Sequence, residues 1–94
     1  AKNFLARYIS SNKKELSAFR CHDGFVSRPA GTLRVALCSR AYKHYAGLYD
    51  FVLRAATVDS STSALVSTLT LRGVSFETGQ RFAQQYVEAL SWTN

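Results

Sequence analysis

Four arginines recur at alternate positions of three strand-like segments, where they could bind anions. Arg34 and Arg40 lie in the first segment, Arg54 in the second and Arg72 in the third. Successive side chains of a strand point to opposite faces, so the spacing predicts that these arginines share one face of a sheet. A forked guanidinium binds carboxylates and phosphates through paired hydrogen bonds. The alternative is an ordinary solvated face, since open antiparallel sheets expose polar residues.

A second candidate group lies in the segment that follows the first of these strands. Aromatic and basic residues alternate there, at Tyr42, Lys43, His44, Tyr45 and Tyr49. If exposed, they would form a platform on which bases or sugar rings stack. Aromatic residues at strand ends can equally close the end of a hydrophobic core. No RNP-like, zinc-finger or helix-turn-helix signature accompanies them, so nucleic-acid binding is the alternative interpretation and not the first.

Cys21 and Cys38 are the only cysteines of the chain. An even pair in a small basic protein favours a disulfide and therefore a secreted or periplasmic location. Such a bridge would contribute about 3 kcal/mol by restricting the unfolded chain. The alternation also places Cys38 on the arginine-bearing face. The segment around Cys21 must then cover part of that face, or a bulge must reverse the register near Cys38. Free cysteines would instead favour the cytoplasm.

Metal binding and catalysis find little support in the sequence. Cys21 and His22 are adjacent and cannot easily bind one tetrahedral ion together, so we expect no metal and no cofactor. A small basic ribonuclease would need a general base, a general acid and cations around a phosphate. His22, His44 and Glu77 supply these residue types, but their spacing does not indicate that they converge. The chain has no nucleophile elbow and no phosphate-binding glycine motif. We therefore expect no enzyme activity.

Composition indicates one compact domain over residues 1–94. The chain is 47% hydrophobic and 13% aromatic, which is enough to build a core. Its apolar runs are too short for a transmembrane helix. Twelve Lys and Arg against six Asp and Glu give a net charge of +6. Such a surface attracts polyanions or acidic protein faces, although the cations are scattered singly and not clustered.

Hydrophobic alternation predicts an antiparallel β-meander of three or four strands. Three strands are expected over Leu33–Tyr42, Leu48–Val58 and Leu65–Arg72, with a brief edge strand at Gly24–Ser27. The links between the three are short enough for hairpins. Asp23-Gly24 is typical of a turn. The residues expected to face the helices are Leu33, Val35, Leu37, Tyr49, Phe51, Leu53, Leu65, Leu69 and Leu71.

Two helices are predicted to flank these strands. The first runs from an Asn3 N-cap to about Ala18, and the second follows a Ser75 N-cap. In the second helix, Gly79 lies on the apolar face, where it would permit close approach to the sheet. Trp92 is expected to pack back onto the domain. The predicted fold class is α+β, with both helices packed on one face of the sheet in two layers.

The sequence thus predicts a secreted or periplasmic binding protein without catalysis. Its partner would be an acidic protein surface or a polyanionic cell-surface component. The contact residues would come from the arginine-bearing face and the tyrosine-rich hairpin: Arg34, Arg40, Tyr42, Lys43, His44, Tyr45, Arg54 and Arg72. A nucleic-acid-binding domain is the first alternative, and a small ribonuclease the second.

Overall fold

Four antiparallel strands and one helix form the described part of the protein. The structure, a computed structural model, describes residues 18–58 and 64–93. The elements are β1 (Arg20–Val26), β2 (Leu33–Ala41), β3 (Leu48–Thr57), β4 (Leu65–Ser75) and α1 (Phe76–Leu90). Neighbouring strands pair in the order β1-β2-β3-β4. The predicted antiparallel meander is therefore confirmed, with four strands.

Strand β1 is longer than the predicted Gly24–Ser27. It starts at Arg20, and Asp23 and Gly24 pair with Ala36 and Val35 of β2 instead of forming a turn. Most of its side chains are exposed. An exposed edge strand needs no apolar alternation, so the periodicity that identified the other strands could not identify this one.

Helix α1 follows β4 directly, without an intervening loop. The Ser75 hydroxyl accepts a hydrogen bond from the Thr78 N–H at 3.1 Å, so Ser75 is the predicted N-cap. Glu77 lies in the first turn, where the helix dipole stabilises an anion. Gly79 is buried over β3, and a Cβ at this position would overlap the ring of Phe51. The expected close approach of this glycine to the sheet is confirmed.

The sheet face under α1, here the helix face, carries the larger core. Leu33 and Leu53 are almost completely buried there, together with Ala83 and Leu90 of the helix. Leu37, Leu69 and Val87 pack around this cluster. The inward positions predicted for β2 are therefore confirmed, as are Phe51 and Leu53 of β3.

Two side chains are exposed although we expected Leu65 in this core and Trp92 packed back onto the domain. Leu65 is 51% exposed, because a register shift between Ala55 and Ala56 places it opposite Ala56, which belongs to the other face. Trp92 is 82% exposed. Its N–H donates to the Ala89 carbonyl and extends the last turn beyond α1, so the chain does not fold back there.

The prediction of two helices on one face is wrong for the described residues, which contain the single helix α1 and four strands. The N-terminal helix predicted from Asn3 to about Ala18 lies outside the described residues, except for Ala18, which is in a turn. The two-layer prediction assumed that only one sheet face is buried. In the structure the opposite face also contains buried apolar residues: Ala36, Cys38, Val52 and Ala56.

The predicted disulfide joins Cys21 and Cys38 and lies on this opposite face. The two residues are direct partners on β1 and β2, with Cα atoms 4.0 Å apart. The bridge therefore needs neither of the two arrangements that the sequence suggested. No bulge near Cys38 is required, because Cys21 itself belongs to the adjacent strand.

The close packing of Gly79 against Phe51 predicts how a methyl group added at Gly79 would change the stability of the fold. Replacement of Gly79 by Ala improves helix propensity by about 1 kcal/mol, but the added Cβ overlaps a ring that is only 2% exposed. Overpacking of a rigid core costs about 1–3 kcal/mol. Gly79→Ala should therefore lower the free energy of unfolding in urea denaturation. Gln80→Ala, an exposed neighbour on the same helix, is the control and should leave stability unchanged or slightly raised. Greater stability of Gly79→Ala than of wild type would contradict the close approach.

Candidate functional site

The buried carboxylate of Asp50 organises one end of the sheet. Asp50 is 5% exposed and lies on β3. One carboxylate oxygen accepts the Gly73 N–H of β4 at 3.0 Å, and the other accepts the Nε–H of Arg40 on β2 at 3.4 Å. A buried charge is tolerated only with such partners. Asp50 thus connects three neighbouring strands through one side chain.

Gly73 reaches this carboxylate because the β3–β4 pairing shifts register here. Tyr49 is opposite Val74 and Phe51 is opposite Leu71, so both Arg72 and Gly73 are opposite Asp50. Gly73 has a φ of +64°, which favours glycine. A Cβ on Gly73 would also lie 3.3 Å from the Tyr42 ring, so that ring packs close to the bulge. The bulge therefore brings Arg72 and Tyr42 to the same end of the sheet.

Arg40 is held on its other side by an aromatic ring. Its guanidinium carbon lies 4.5 Å from the centre of the Phe19 ring. The side chain remains 40% exposed although it contacts both Asp50 and Phe19. A guanidinium fixed in this way loses less conformational entropy when it binds an anion. Arg40 is thus oriented by the protein and still accessible from solvent.

Three cations line one cleft beside Asp50. The cleft has a volume of about 320 Å³, and Arg40, Lys43 and Arg72 contribute to its wall together with Tyr42. Lys43 and Arg72 are exposed. We call these four residues the basic cleft. Three positive groups around one opening, with a single buried carboxylate among them, leave a net positive site that suits a carboxylate or a phosphate.

Two of the predicted contact arginines lie outside the basic cleft. Arg54 is only 9% exposed. An arginine that binds a partner on an open sheet face would have its guanidinium in solvent, and that of Arg54 is not. Arg34 forms an ion pair with Asp23 at 3.5 Å and lies 4.7 Å from the centre of the Phe25 ring. Burial of Arg54, and contacts of Arg34 with two residues of β1, thus separate them from the cleft, and alternation alone reveals neither.

Only part of the tyrosine-rich hairpin lies beside the cleft. The Tyr42 and His44 rings meet edge to face with centres 5.2 Å apart. His44 is exposed, and Tyr45 is 68% exposed in the loop between β2 and β3. Tyr49 instead contacts Phe51 and Phe76, at the helix end of the core. An aromatic surface of Tyr42 and His44 therefore borders the cleft, whereas the half-buried Tyr49 packs against aromatic rings near the start of α1.

The side chains considered for ribonuclease chemistry lie on three different elements. His22 is on β1, opposite Leu37 of the helix face; His44 is in the β2–β3 loop; and Glu77 is at the start of α1. Among the residues that the structure describes, no three His, Cys, Asp or Glu side chains are grouped so that they could hold a metal ion.

Sequence reasoning missed three residues that build the site. Asp50 is the only acidic residue in β3, and its position among the apolar residues of this strand was the available signal. Gly73 precedes the helix cap and could have indicated a bulge. Phe19 carries no local signal, since its contact with Arg40 depends on the tertiary structure.

Comparison with known proteins does not assign the chain to a family. No protein-family model matches it, and no curated protein or solved structure is significantly similar. Within the described ranges, no helix has both the length and the apolar character needed to cross a bilayer.

The role of Asp50 predicts an unequal response to two similar substitutions. Asp50→Asn removes a buried charge that binds a backbone N–H and a guanidinium, and hydrogen bonds to charged groups contribute about 1.5–3 kcal/mol each. We expect a loss of unfolding free energy within that range, measured by urea denaturation. Asp23→Asn is the matched control. Its carboxylate is 45% exposed, so its ion pair with Arg34 should contribute less than about 1 kcal/mol. Equal losses would contradict an organising role for Asp50.

Proposed function

We propose that this protein is a secreted or periplasmic binding protein that holds acidic groups of its partner in the basic cleft and has no catalytic role. The observation that carries the proposal is the convergence of Arg40, Lys43 and Arg72 on one cleft. The partner would be an acidic protein surface or a polyanionic cell-surface component. The net charge of +6 would attract such a partner from a distance.

The location rests on the disulfide between Cys21 and Cys38. Disulfides form and persist in oxidising compartments and are rare in the cytosol. The absence of a membrane-spanning helix among the described residues is compatible with this location.

Nucleic-acid binding is the second candidate because Tyr42 and His44 border the cleft. Their edge-to-face pair offers aromatic surface beside three cations. Proteins that bind single-stranded nucleic acids combine these two features. The experiment must therefore compare acidic peptide with nucleic acid.

Binding can be measured by fluorescence anisotropy with two kinds of labelled probe, a polyglutamate peptide and single-stranded oligonucleotides of unrelated sequence. We expect the peptide to bind and its affinity to fall with salt, since each bound anion releases screening counterions. For a single-stranded oligonucleotide, three cations would give a slope of log K against log salt of about −2. Tighter binding of all oligonucleotides than of the peptide would favour the nucleic-acid alternative.

Two exposed cations of the cleft provide the decisive variants. Lys43→Gln and Arg72→Gln, combined, should reduce peptide affinity about tenfold or more and flatten its salt dependence, since two of three ionic contacts are removed. Arg20→Gln combined with Arg81→Gln is the matched control, because it removes the same number of charges from exposed arginines of β1 and α1 that do not line the cleft. A similar loss in this control would show that net charge, not the cleft, determines binding. No binding of any probe at low salt would exclude the proposal.

A further inference from the structure

The three cations of the basic cleft come from three separate segments of the chain. Arg40 lies in β2, Lys43 in the loop that follows it, and Arg72 in β4. All three line the same opening. A planar carboxylate has two oxygens, which match a single guanidinium fork. A phosphomonoester has three terminal oxygens in a tetrahedral arrangement, so it offers one oxygen to each cation.

Arg40 is already arranged to donate to such an oxygen. Asp50 binds its Nε at 3.4 Å, and the Phe19 ring centre lies 4.5 Å from its guanidinium carbon. The contact with Asp50 uses Nε, which leaves the two terminal nitrogens of the same guanidinium for a ligand. A donor held in place by its neighbours loses little conformational entropy on binding. Arg40 is therefore the anchor of the anion site, and the exposed Lys43 and Arg72 complete it.

The charge of the cleft also distinguishes between kinds of anion. Its wall carries the positive charges of Arg40, Lys43 and Arg72 and the single negative charge of Asp50. The excess is two positive charges. A phosphomonoester carries about −1.5 to −2 at pH 7, because its second pKa is about 6. A carboxylate and a phosphodiester each carry only one negative charge. The monoester is therefore the anion that balances the cleft.

Aromatic surface beside the cleft indicates what carries the phosphate. Tyr42 lines the cleft, and its ring meets the exposed His44 ring edge to face, with centres 5.2 Å apart. Each ring combines an apolar face with a hydrogen-bonding group, the phenol hydroxyl of Tyr42 and the imidazole nitrogens of His44. A sugar ring matches both properties, since it has C–H faces and hydroxyl groups. A phenyl ring, as in phosphotyrosine, has no hydroxyl to meet these groups.

We propose that the basic cleft binds a phosphomonoester on a sugar ring of a cell-surface glycan, in preference to carboxylates and phosphodiesters. This inference rests on the binding function proposed above and names its ligand, a polyanionic glycan and not an acidic protein. The phosphate lies between Arg40, Lys43 and Arg72, and the sugar packs beside Tyr42 and His44. Small-ligand sites are typically built in this way, from a few converging polar groups and an aromatic surface.

Four small ligands separate the contribution of the anion from that of the ring, by isothermal titration calorimetry on the disulfide-bonded protein. Glucose 6-phosphate is a monoester on a sugar, its methyl diester has one charge fewer, glucuronate is a sugar carboxylate, and inorganic phosphate has no ring. We expect glucose 6-phosphate to bind about tenfold or more tightly than the diester and glucuronate, and a few-fold more tightly than inorganic phosphate. Equal affinity for glucuronate would overturn the preference for a monoester. Equal affinity for inorganic phosphate would overturn the role of the sugar.

Three variants locate the ligand. Arg72→Gln should lower the affinity for glucose 6-phosphate about tenfold and that for glucuronate by less, because a carboxylate does not use all three cations. His44→Ala should lower the affinity for glucose 6-phosphate to that of inorganic phosphate, and leave the affinity for inorganic phosphate unchanged. Arg81→Gln is the control, because Arg81 is an exposed arginine of α1 outside the cleft. An equal loss in Arg81→Gln would place the phosphate elsewhere, and a loss of inorganic phosphate binding in His44→Ala would contradict the contact with the sugar.

The polyglutamate measurement separates this proposal from the binding function on which it rests. If polyglutamate binds through the cleft and glucose 6-phosphate binds no more tightly than glucuronate, the preference for a monoester is wrong and the binding function stands. If neither polyglutamate nor any phosphate binds, the binding function itself is wrong. Phenyl phosphate, which has the side-chain group of phosphotyrosine, tests the carrier. Tighter binding of phenyl phosphate than of glucose 6-phosphate would overturn the glycan in favour of a phosphorylated protein.

Discussion

The organisation of the basic cleft depends on one buried carboxylate, that of Asp50. It accepts the Gly73 N–H from β4 and binds Arg40 of β2, so the relative positions of three strands are linked through a single side chain. The bulge that frees the Gly73 N–H also directs Arg72 to the cleft. A buried carboxylate needs such partners. The contacts that satisfy Asp50 therefore both stabilise this end of the sheet and orient the cations.

The second constraint is that both faces of the sheet carry buried apolar residues. Leu33 and Leu53 lie under α1, while Ala36 and Cys38 lie on the opposite face beside Cys21 and Phe19. The disulfide fixes β1 to β2 on that opposite face. Arg54 is buried there, so of the four arginines expected to share one face only Arg40 and Arg72 line the basic cleft, where Lys43 joins them.

The sequence predicted those features that depend on local pattern. Alternation identified β2, β3 and β4, and the spacing after Ser75 identified α1 and the close approach at Gly79. Features that depend on long-range pairing were missed. A register shift displaced Leu65 from the core, and β1 lacks apolar alternation because it is an exposed edge. Four cleft residues were predicted to lie on or beside one face, but their convergence required the bulge at Gly73, which alternation cannot reveal.

The central claim is that the basic cleft, and not the general positive charge, receives the acidic partner. The most direct measurement is a titration of ¹⁵N-labelled protein with polyglutamate, followed by NMR chemical shifts of the backbone amides. The account predicts the largest shifts at Arg40–Lys43 and at Arg72 and Gly73, on both sides of Asp50. Shifts spread evenly over exposed basic residues such as Arg20 and Arg81, or confined to β1 or α1, would contradict it.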